Sequence, residues 1–85
     1  MENLLRRHYN AILKRGKITP LTTTNDFIKK MDEELTELKA AQGTPEFEQE
    51  VIDLMCVCTN LLKFRYKDVE KELLKNVMHQ ESRKD

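Results

Sequence analysis

The feature that most constrains this chain is one helix-breaking turn, Gly43-Thr44-Pro45, flanked by two helical patterns that carry acids within their apolar faces. Before the turn, Glu34 falls inside the apolar arc and Glu37 lies on its flank. After the turn, Glu50 and Asp53 repeat this arrangement at the same spacing. Because a short connection makes two helices antiparallel neighbours, the sequence predicts that these carboxylates face one another.

Such a cluster of acids predicts a bound cation. An ionised carboxylate that is buried without compensation is strongly destabilising, and a divalent ion removes that difficulty. Mg²⁺ is the expected ion, with Mn²⁺ as an alternative, because it prefers hard oxygen ligands and keeps positions open for phosphate oxygens. Zinc is disfavoured because the cluster contains no His or Cys. The alternative is an ordinary solvated acidic helix face, which explains the cluster Glu33-Glu34-x-x-Glu37 alone equally well and is favoured for Glu50-x-x-Asp53 alone.

The apolar spacing predicts an all-α fold, a small four-helix bundle-like domain of antiparallel helices. The four helices are expected at about residues 2–15, 26–41, 45–65 and 68–80, followed by a polar tail at 81–85. Gly16 and Gly43 are the expected stops of the first two helices, and Asn25 and Thr44 are the expected N-caps of the second and third. The joint near residues 65–68 has neither glycine nor proline, which leaves that boundary open.

The length of the chain favours self-association. With 85 residues it forms one domain whose own core is marginal. Ile52 and Cys56 also place apolar side chains on the third helix away from its main apolar arc, and a helix that is apolar nearly all round is usually buried on both sides. We therefore expect oligomerisation to complete the domain, with the acidic site near the interface.

Composition excludes several classes of function. Fifteen basic and fifteen acidic residues give no global positive field, so no nucleic acid polymer is expected as a partner. No apolar run is long enough to cross a membrane, and the first residues lack the apolar stretch of a signal peptide, so a cytoplasmic protein with reduced cysteines is expected. With only two glycines, no glycine-rich phosphate loop exists, and phosphate binding would depend on metal.

The acidic clusters belong to a longer motif. The segment from Lys30 to Ala41, followed by Glu50 to Met55, resembles the signature of MazG-type nucleotide pyrophosphohydrolases: E-E-x-x-E, a variable spacer and E-x-x-D. The spacer here, from Leu38 to Gln49, has twelve residues, and the resemblance covers about residues 25–80. It implies an all-α homodimer or homotetramer that uses magnesium to hydrolyse a nucleoside triphosphate to the monophosphate and pyrophosphate.

The same resemblance assigns roles to the acids. By position in the motif, Glu34, Glu37, Glu50 and Asp53 would be the metal ligands. Glu33 matches the first acid of the signature, where it would either hold the ligands in place or assist the attacking water.

Four further residues are candidates for substrate binding. Lys30 lies one helical turn before Glu34 and would contact phosphates, although a simple salt bridge explains it equally well. Asn60 could hydrogen-bond a base or sugar, or be a polar residue of a helix interface. Lys75 and Asn76 resemble the family's lysine-asparagine pair, which helps to hold the phosphates.

The chain departs from the family at two places. His79 stands where an arginine usually follows the lysine-asparagine pair, and Arg65-Tyr66-Lys67 replaces a joint that contains glycine in the family. The replaced joint would alter how nucleotides enter. His79 gives some weight to a rival hypothesis, a non-catalytic helical oligomeric module that retains an acidic metal-binding face. His8 has no partner at metal-ligand spacing and is expected at the surface or at an interface. Phe64 is expected in the core rather than stacked on a base.

Overall fold

A computed structural model describes the backbone of residues 2–84 and the side chains of residues 3–84. The regular secondary structure of the described residues is all α-helix, without strands, as the sequence predicted. It forms four helices: α1 (Glu2–Lys14), α2 (Thr24–Ala40), α3 (Phe47–Phe64) and α4 (Val69–Ser82). Helix α4 extends two residues into the predicted polar tail, whose last residue, Asp85, lies outside the described residues. None of the helices in residues 2–84 has both the length and the apolar character of a membrane span.

Helix α2 begins earlier than the sequence predicted, because Thr23 rather than Asn25 is its N-cap. The Thr23 hydroxyl accepts a hydrogen bond from the backbone N–H of Asp26 at 3.3 Å, and the Asp26 carboxylate accepts one from the backbone N–H of Thr23 at 2.8 Å. This reciprocal pair is a capping box, which satisfies two N–H groups that the first turn of a helix would otherwise leave without partners.

Helix α3 begins at Phe47, and the predicted cap at Thr44 is wrong. The Thr44 hydroxyl donates instead to the backbone carbonyl of Ala41 at 2.7 Å, so it is occupied in closing the end of α2. Glu46 takes the N-cap position with a helical backbone and no side-chain capping hydrogen bond.

Helices α1 and α3 end in the same hydrogen-bonding pattern, the Schellman motif. After α1, the N–H of Lys17 bonds to the carbonyl of Ile12 at 3.3 Å, around Gly16 at φ +70°. After α3, the N–H of Lys67 bonds to the carbonyl of Leu62 at 2.9 Å, around Tyr66 at φ +59°. The third helix therefore ends at a residue in the left-handed backbone conformation, although the joint contains no glycine.

Helix α3 is the centre of the packing. It contacts α2 most extensively, α1 less and α4 least. Phe27, near the start of α2, meets Phe64, at the end of α3, with ring centroids 4.9 Å apart. Glu34, two turns further along α2, lies beside Asp53, three turns back along α3, so the two helices are antiparallel.

The core of the single chain is small. Only Leu5, Phe27, Ala41 and Val69 are buried apolar residues among those described, and no large side chain is completely buried. The accessible surface is 6815 Å², whereas a compact monomer of 10.1 kDa exposes about 5,300 Å². The radius of gyration, 14.6 Å, likewise exceeds the roughly 12 Å expected for this length.

Helix α4 accounts for much of this exposure. Its predicted apolar face includes Leu73, Leu74 and Val77, and in the single chain these side chains are 48%, 56% and 42% exposed. Only Val69, at the start of the helix, is buried. The amphipathic pattern is present in the helix, but its own chain does not cover it.

Candidate metal centre

Three acids from the two antiparallel helices converge at one point. Glu34 of α2 and Glu50 and Asp53 of α3 each offer a carboxylate oxygen, and these oxygens lie within 4.8 Å of one another. Residues 50 and 53 share a face of α3 because they are three apart, and the antiparallel packing brings that face to the middle of α2. The sequence predicted that four carboxylates converge here, and the structure brings together three of them without Glu37.

Glu34 is the most unusual member of the cluster. It is only 7% exposed, a burial that is rare for a glutamate. Its Oε1 accepts from Nζ of Lys30 at 3.1 Å, and this hydrogen bond raises the pKa of Lys30 above its ordinary value. Its Oε2 is fully buried and has no hydrogen-bond partner among the described residues.

Glu50 repeats this property from the opposite helix. It is half-buried, and its Oε2 likewise lacks a hydrogen-bond partner within the described part of the chain. A buried polar atom without a partner costs about 1–3 kcal/mol, and more when it carries charge. Two such oxygens, one on each helix, therefore mark this point as one that a cation would stabilise.

Glu37 lies beside the cluster on the solvent side. It is exposed, and repulsion from the carboxylate of Glu34 is the largest cause that raises its pKa above 4.5. Partial desolvation, a hydrogen bond shared with Glu34 and repulsion from Glu50 add to that rise, while Lys30 opposes it. The crowding of carboxylates at this point therefore disfavours the ionised form of Glu37.

The remaining acidic candidates have other partners. Asp53 is half-buried, and its Oδ1 accepts from the side-chain amide of Gln49 at 2.9 Å. Glu33 is exposed and forms an ion pair with Nζ of Lys30 at 3.4 Å. Lys30 thus bridges Glu33 and Glu34 on the surface of α2, the arrangement that the salt-bridge interpretation predicted.

A cavity of about 600 Å³ adjoins the cluster. Lys30, Glu34 and Asp53 lie in its wall, and α1 and the loop after it form the other side. Its volume lies within the range of about 300–1,000 Å³ that is usual for small-molecule sites. Cys56 also lines the cavity, and burial, with a contribution from Asp53, raises the pKa of its thiol and so disfavours thiolate ligation.

Two polar residues meet inside this cavity. Asn60, only 6% exposed, places its amide nitrogen 3.2 Å and its amide oxygen 3.4 Å from Nδ1 of His8. Nδ1 of His8 and the side-chain amide of Asn60 are therefore hydrogen-bond partners, and the tautomer of His8 sets which of them donates. The sequence prediction did not include His8 in the site, although its place in the apolar repeat of α1 with Leu5 and Ile12 was a signal for an inward position.

The other predicted substrate contacts lie elsewhere. Lys75 and Asn76 are exposed on α4 and do not line the cavity of the single chain, and Lys75 pairs with Glu72 at 3.4 Å. Phe64 packs on Phe27, as a core residue does. Of the four predicted substrate contacts, the structure thus places Lys30 and Asn60 in the cavity.

Comparisons of this chain with family models, with curated proteins and with solved structures find no significant match to any of them. The resemblance to MazG-type enzymes therefore depends on the motif residues alone. Chemically, the centre offers three converging carboxylates and a fourth nearby, a donor set that suits a hard divalent cation.

Proposed function

We propose that Glu34, Glu50 and Asp53 bind a divalent cation, Mg²⁺ in preference to Mn²⁺, with Glu37 as a fourth ligand. The observation that carries this proposal is the pair of buried carboxylate oxygens without partners, one on each helix. A cluster of acids on an exposed surface needs no cation, because water satisfies its oxygens. Here two of the oxygens are shielded from water, so a cation would provide the missing partner.

We propose further that the protein is a magnesium-dependent nucleoside triphosphate pyrophosphohydrolase. In that reaction the oxygen of water bonds to the α-phosphorus, the bond from that phosphorus to the bridging oxygen breaks, and pyrophosphate leaves. The motif resemblance supports this reaction, as does the cavity of nucleotide size beside the acids. When bound, magnesium would neutralise phosphate charge and lower the pKa of a bound water.

Side chains that line the cavity would position the nucleotide and supply positive charge to its phosphates. Lys30 faces the cavity beside Glu34 and is suited to a phosphate oxygen, because its ammonium group already lies at the edge of the cluster. Glu33 holds Lys30 from the solvent side, which would fix the direction of that ammonium group. Asn60 and His8, which also line the cavity, would hydrogen-bond the base or sugar.

Pyrophosphate release is the direct test. Purified protein with Mg²⁺ and a panel of ribonucleoside, deoxynucleoside and modified triphosphates should release pyrophosphate from at least one of them. Glu50→Gln and Asp53→Asn should each lower the rate by about a hundredfold or more, as loss of a group that stabilises transition-state charge does. Glu48→Gln is the matched control, because Glu48 is an exposed acid on the same helix outside the cluster. Full activity in Glu50→Gln would refute the assignment.

We also propose that copies of the chain assemble through the apolar side of α4 and the exposed apolar residues of α3. The excess surface, about 1,500 Å² over a compact monomer, is more than the roughly 800 Å² that each partner contributes to a standard interface. Ile52 and Met55 on α3 remain 46% and 42% exposed. Analytical ultracentrifugation tests this directly, and a monomer at every accessible concentration would contradict it.

One observation favours the second candidate function, the non-catalytic oligomeric module. Lys75 and Asn76, which the family motif would use for phosphates, lie on a helix that does not reach the cavity in the single chain. Calorimetry separates the two functions. Mg²⁺ binding that Glu34→Gln abolishes, together with no pyrophosphate release from any triphosphate, would support the module and exclude the enzyme.

A further inference from the structure

The cavity has a basic wall that neither the acidic motif nor the lysine-asparagine pair includes. Arg15 and Lys17, which directly follow α1, line it together with Lys30. The acids in the same wall are Asp26, Glu34 and Asp53. Asp26 is committed to the capping box of α2, so the acids that remain are those of the metal centre. The cavity wall therefore carries both the carboxylates of the metal centre and three basic side chains.

The turn that carries Arg15 and Lys17 is held by backbone hydrogen bonds. Arg15 is the last residue before Gly16, whose φ of +70° only glycine adopts at low cost, and Lys17 follows it. The N–H groups of Gly16 and Lys17 bond to the carbonyls of Leu13 and Ile12 at 3.0 and 3.3 Å. These bonds complete a Schellman motif, which fixes the backbone on both sides of the glycine.

Neither basic side chain is engaged elsewhere. No hydrogen bond or ion pair joins the side chain of Arg15 or Lys17 to any described side chain. Lysines and arginines often occur at helix C-termini merely to complement the helix dipole. Lys14 lies in the last turn of α1 and does not line the cavity, whereas Arg15 and Lys17 do.

We infer that Arg15 and Lys17 bind the terminal phosphates of a triphosphate whose α-phosphate lies at the metal centre. This inference rests on the proposed function and assigns to the loop after α1 the role that the family motif gives to Lys75 and Asn76. The chemical basis is that different groups of the protein bind different phosphates of one triphosphate. Carboxylates in the cavity wall would bind the cation, and the basic pair in the same wall would bind the phosphates that depart as pyrophosphate.

The test compares nucleotides with different numbers of phosphates. Calorimetry with Mg²⁺ uses a triphosphate with a non-hydrolysable α,β-bridge and the corresponding monophosphate, on wild type and on Arg15→Gln/Lys17→Gln. The double variant should bind the triphosphate about tenfold or more weakly, with a less than twofold change for the monophosphate. Lys14→Gln is the control, because it loses the same dipole interaction but should bind both ligands as wild type does.

The outcomes are distinct. Unchanged triphosphate binding in the double variant, or equal losses for triphosphate and monophosphate, would overturn the inference, provided that circular dichroism shows the variant folded. If the variant does not fold, Arg15→Lys/Lys17→Arg replaces it, and this charge-conserving variant should retain at least a third of the wild-type affinity; a larger loss overturns the inference. Wild type that binds the triphosphate analogue but releases no pyrophosphate would refute the enzyme and leave the binding role supported. Wild type that binds no nucleotide would overturn both.

Discussion

The acidic face, formed by Glu34 of α2 with Glu50 and Asp53 of α3, differs from helix α4 in the kind of side chain that is misplaced. Soluble proteins usually expose charged side chains and bury apolar ones, and each region breaks one half of this rule. At the acidic face, charged groups are buried: Glu34 is 7% exposed and has an oxygen without a partner. On α4, apolar groups are exposed: Leu74 and Met78 are 56% and 62% accessible. Each departure is unfavourable for an isolated chain in water. The single chain would therefore be stabilised in two chemically different ways, by positive charge at the acidic face and by an apolar surface packed against α4.

These two kinds of stabilisation are physically separable. A cation is small and would change the electrostatics of the acidic face without burying much surface. A partner subunit would bury surface on α4 without changing the charge of the cluster.

The largest expected effect is on the acidic face. Mg²⁺ at a hundred times its dissociation constant should raise the free energy of unfolding by about 2.7 kcal/mol, and Glu34→Gln should remove that gain. In chelator, the same variant should be more stable than wild type, because it removes a buried charge that lacks a full set of partners. Urea unfolding of both proteins, with Mg²⁺ and with chelator, measures this reversal in their relative stability.

Asp32→Asn is the matched control for that experiment, because Asp32 is an exposed acid on α2 outside the cluster. It should keep the full stabilisation by Mg²⁺. Equal stabilisation of wild type and Glu34→Gln would show that the cation, if bound, lies elsewhere.

The next effect in size is on α4. Leu74→Gln/Met78→Gln replaces two exposed apolar side chains one helical turn apart. It should weaken self-association by about 2 kcal/mol, or about thirtyfold in dissociation constant, because association then buries less apolar surface. Sedimentation equilibrium measures this.

Two controls confine that effect to α4. Lys71→Gln, an exposed polar change on the same helix, should associate as wild type does. Mg²⁺ binding per chain by the double variant should persist if the two regions are independent. Loss of Mg²⁺ binding on dissociation would instead mean that the partner subunit completes the metal centre.

A smaller effect is expected at the joint that connects the two regions. Tyr66 is almost fully exposed and adopts φ +59°, a left-handed conformation that costs a non-glycine residue about 1–2 kcal/mol. Tyr66→Gly should raise the free energy of unfolding by about 0.5–1 kcal/mol, the strain relief less the entropy that glycine loses. Thermal and urea unfolding measure it. Tyr66→Ala keeps the backbone strain and should gain nothing, and a similar gain in both variants would argue against strain.

The smallest effect is the pH dependence of the metal-free protein. The pKa of Glu37 is raised in the fold, chiefly by repulsion from Glu34, so the folded state binds more protons than the unfolded state just above pH 4.5. Stability should therefore fall as pH rises through that window. Glu37→Gln should flatten this slope in urea titrations at several pH values, whereas Glu48→Gln should retain it. An unchanged slope in Glu37→Gln would assign the effect to other acids.

Much of the fold could be predicted because it depends on local patterns. The apolar repeats identified four helices, and Gly16 marked the end of the first by its left-handed conformation. Boundaries were predicted less well where two side chains compete for one role. Thr23 and Asn25 could each cap α2, and only the reciprocal hydrogen bonds with Asp26 favour Thr23. The end of α3 was missed as a left-handed turn because tyrosine rarely adopts that conformation.

The sequence was sufficient to predict the acidic residues of the site, but not that Arg15 and Lys17 line the cavity. Glu34 fell inside an apolar arc, and helical periodicity alone placed it inward. Arg15 and Lys17 belong to a loop, for which no periodic rule predicts direction, so their position beside the cavity appears only in the folded chain. His8 had the spacing of an inward residue, but its partner Asn60 lies 52 residues away in the sequence.

By itself, the sequence determined the helices and the faces on which the acids lie, because both follow from the 3.6-residue period of the α-helix. Only the tertiary structure decided which residues share one cavity and which oxygens lose their access to water. Those properties depend on how helices pack against one another, and packing joins residues that no local pattern relates. It also left the apolar face of α4 uncovered in the single chain, where the pattern alone predicted burial.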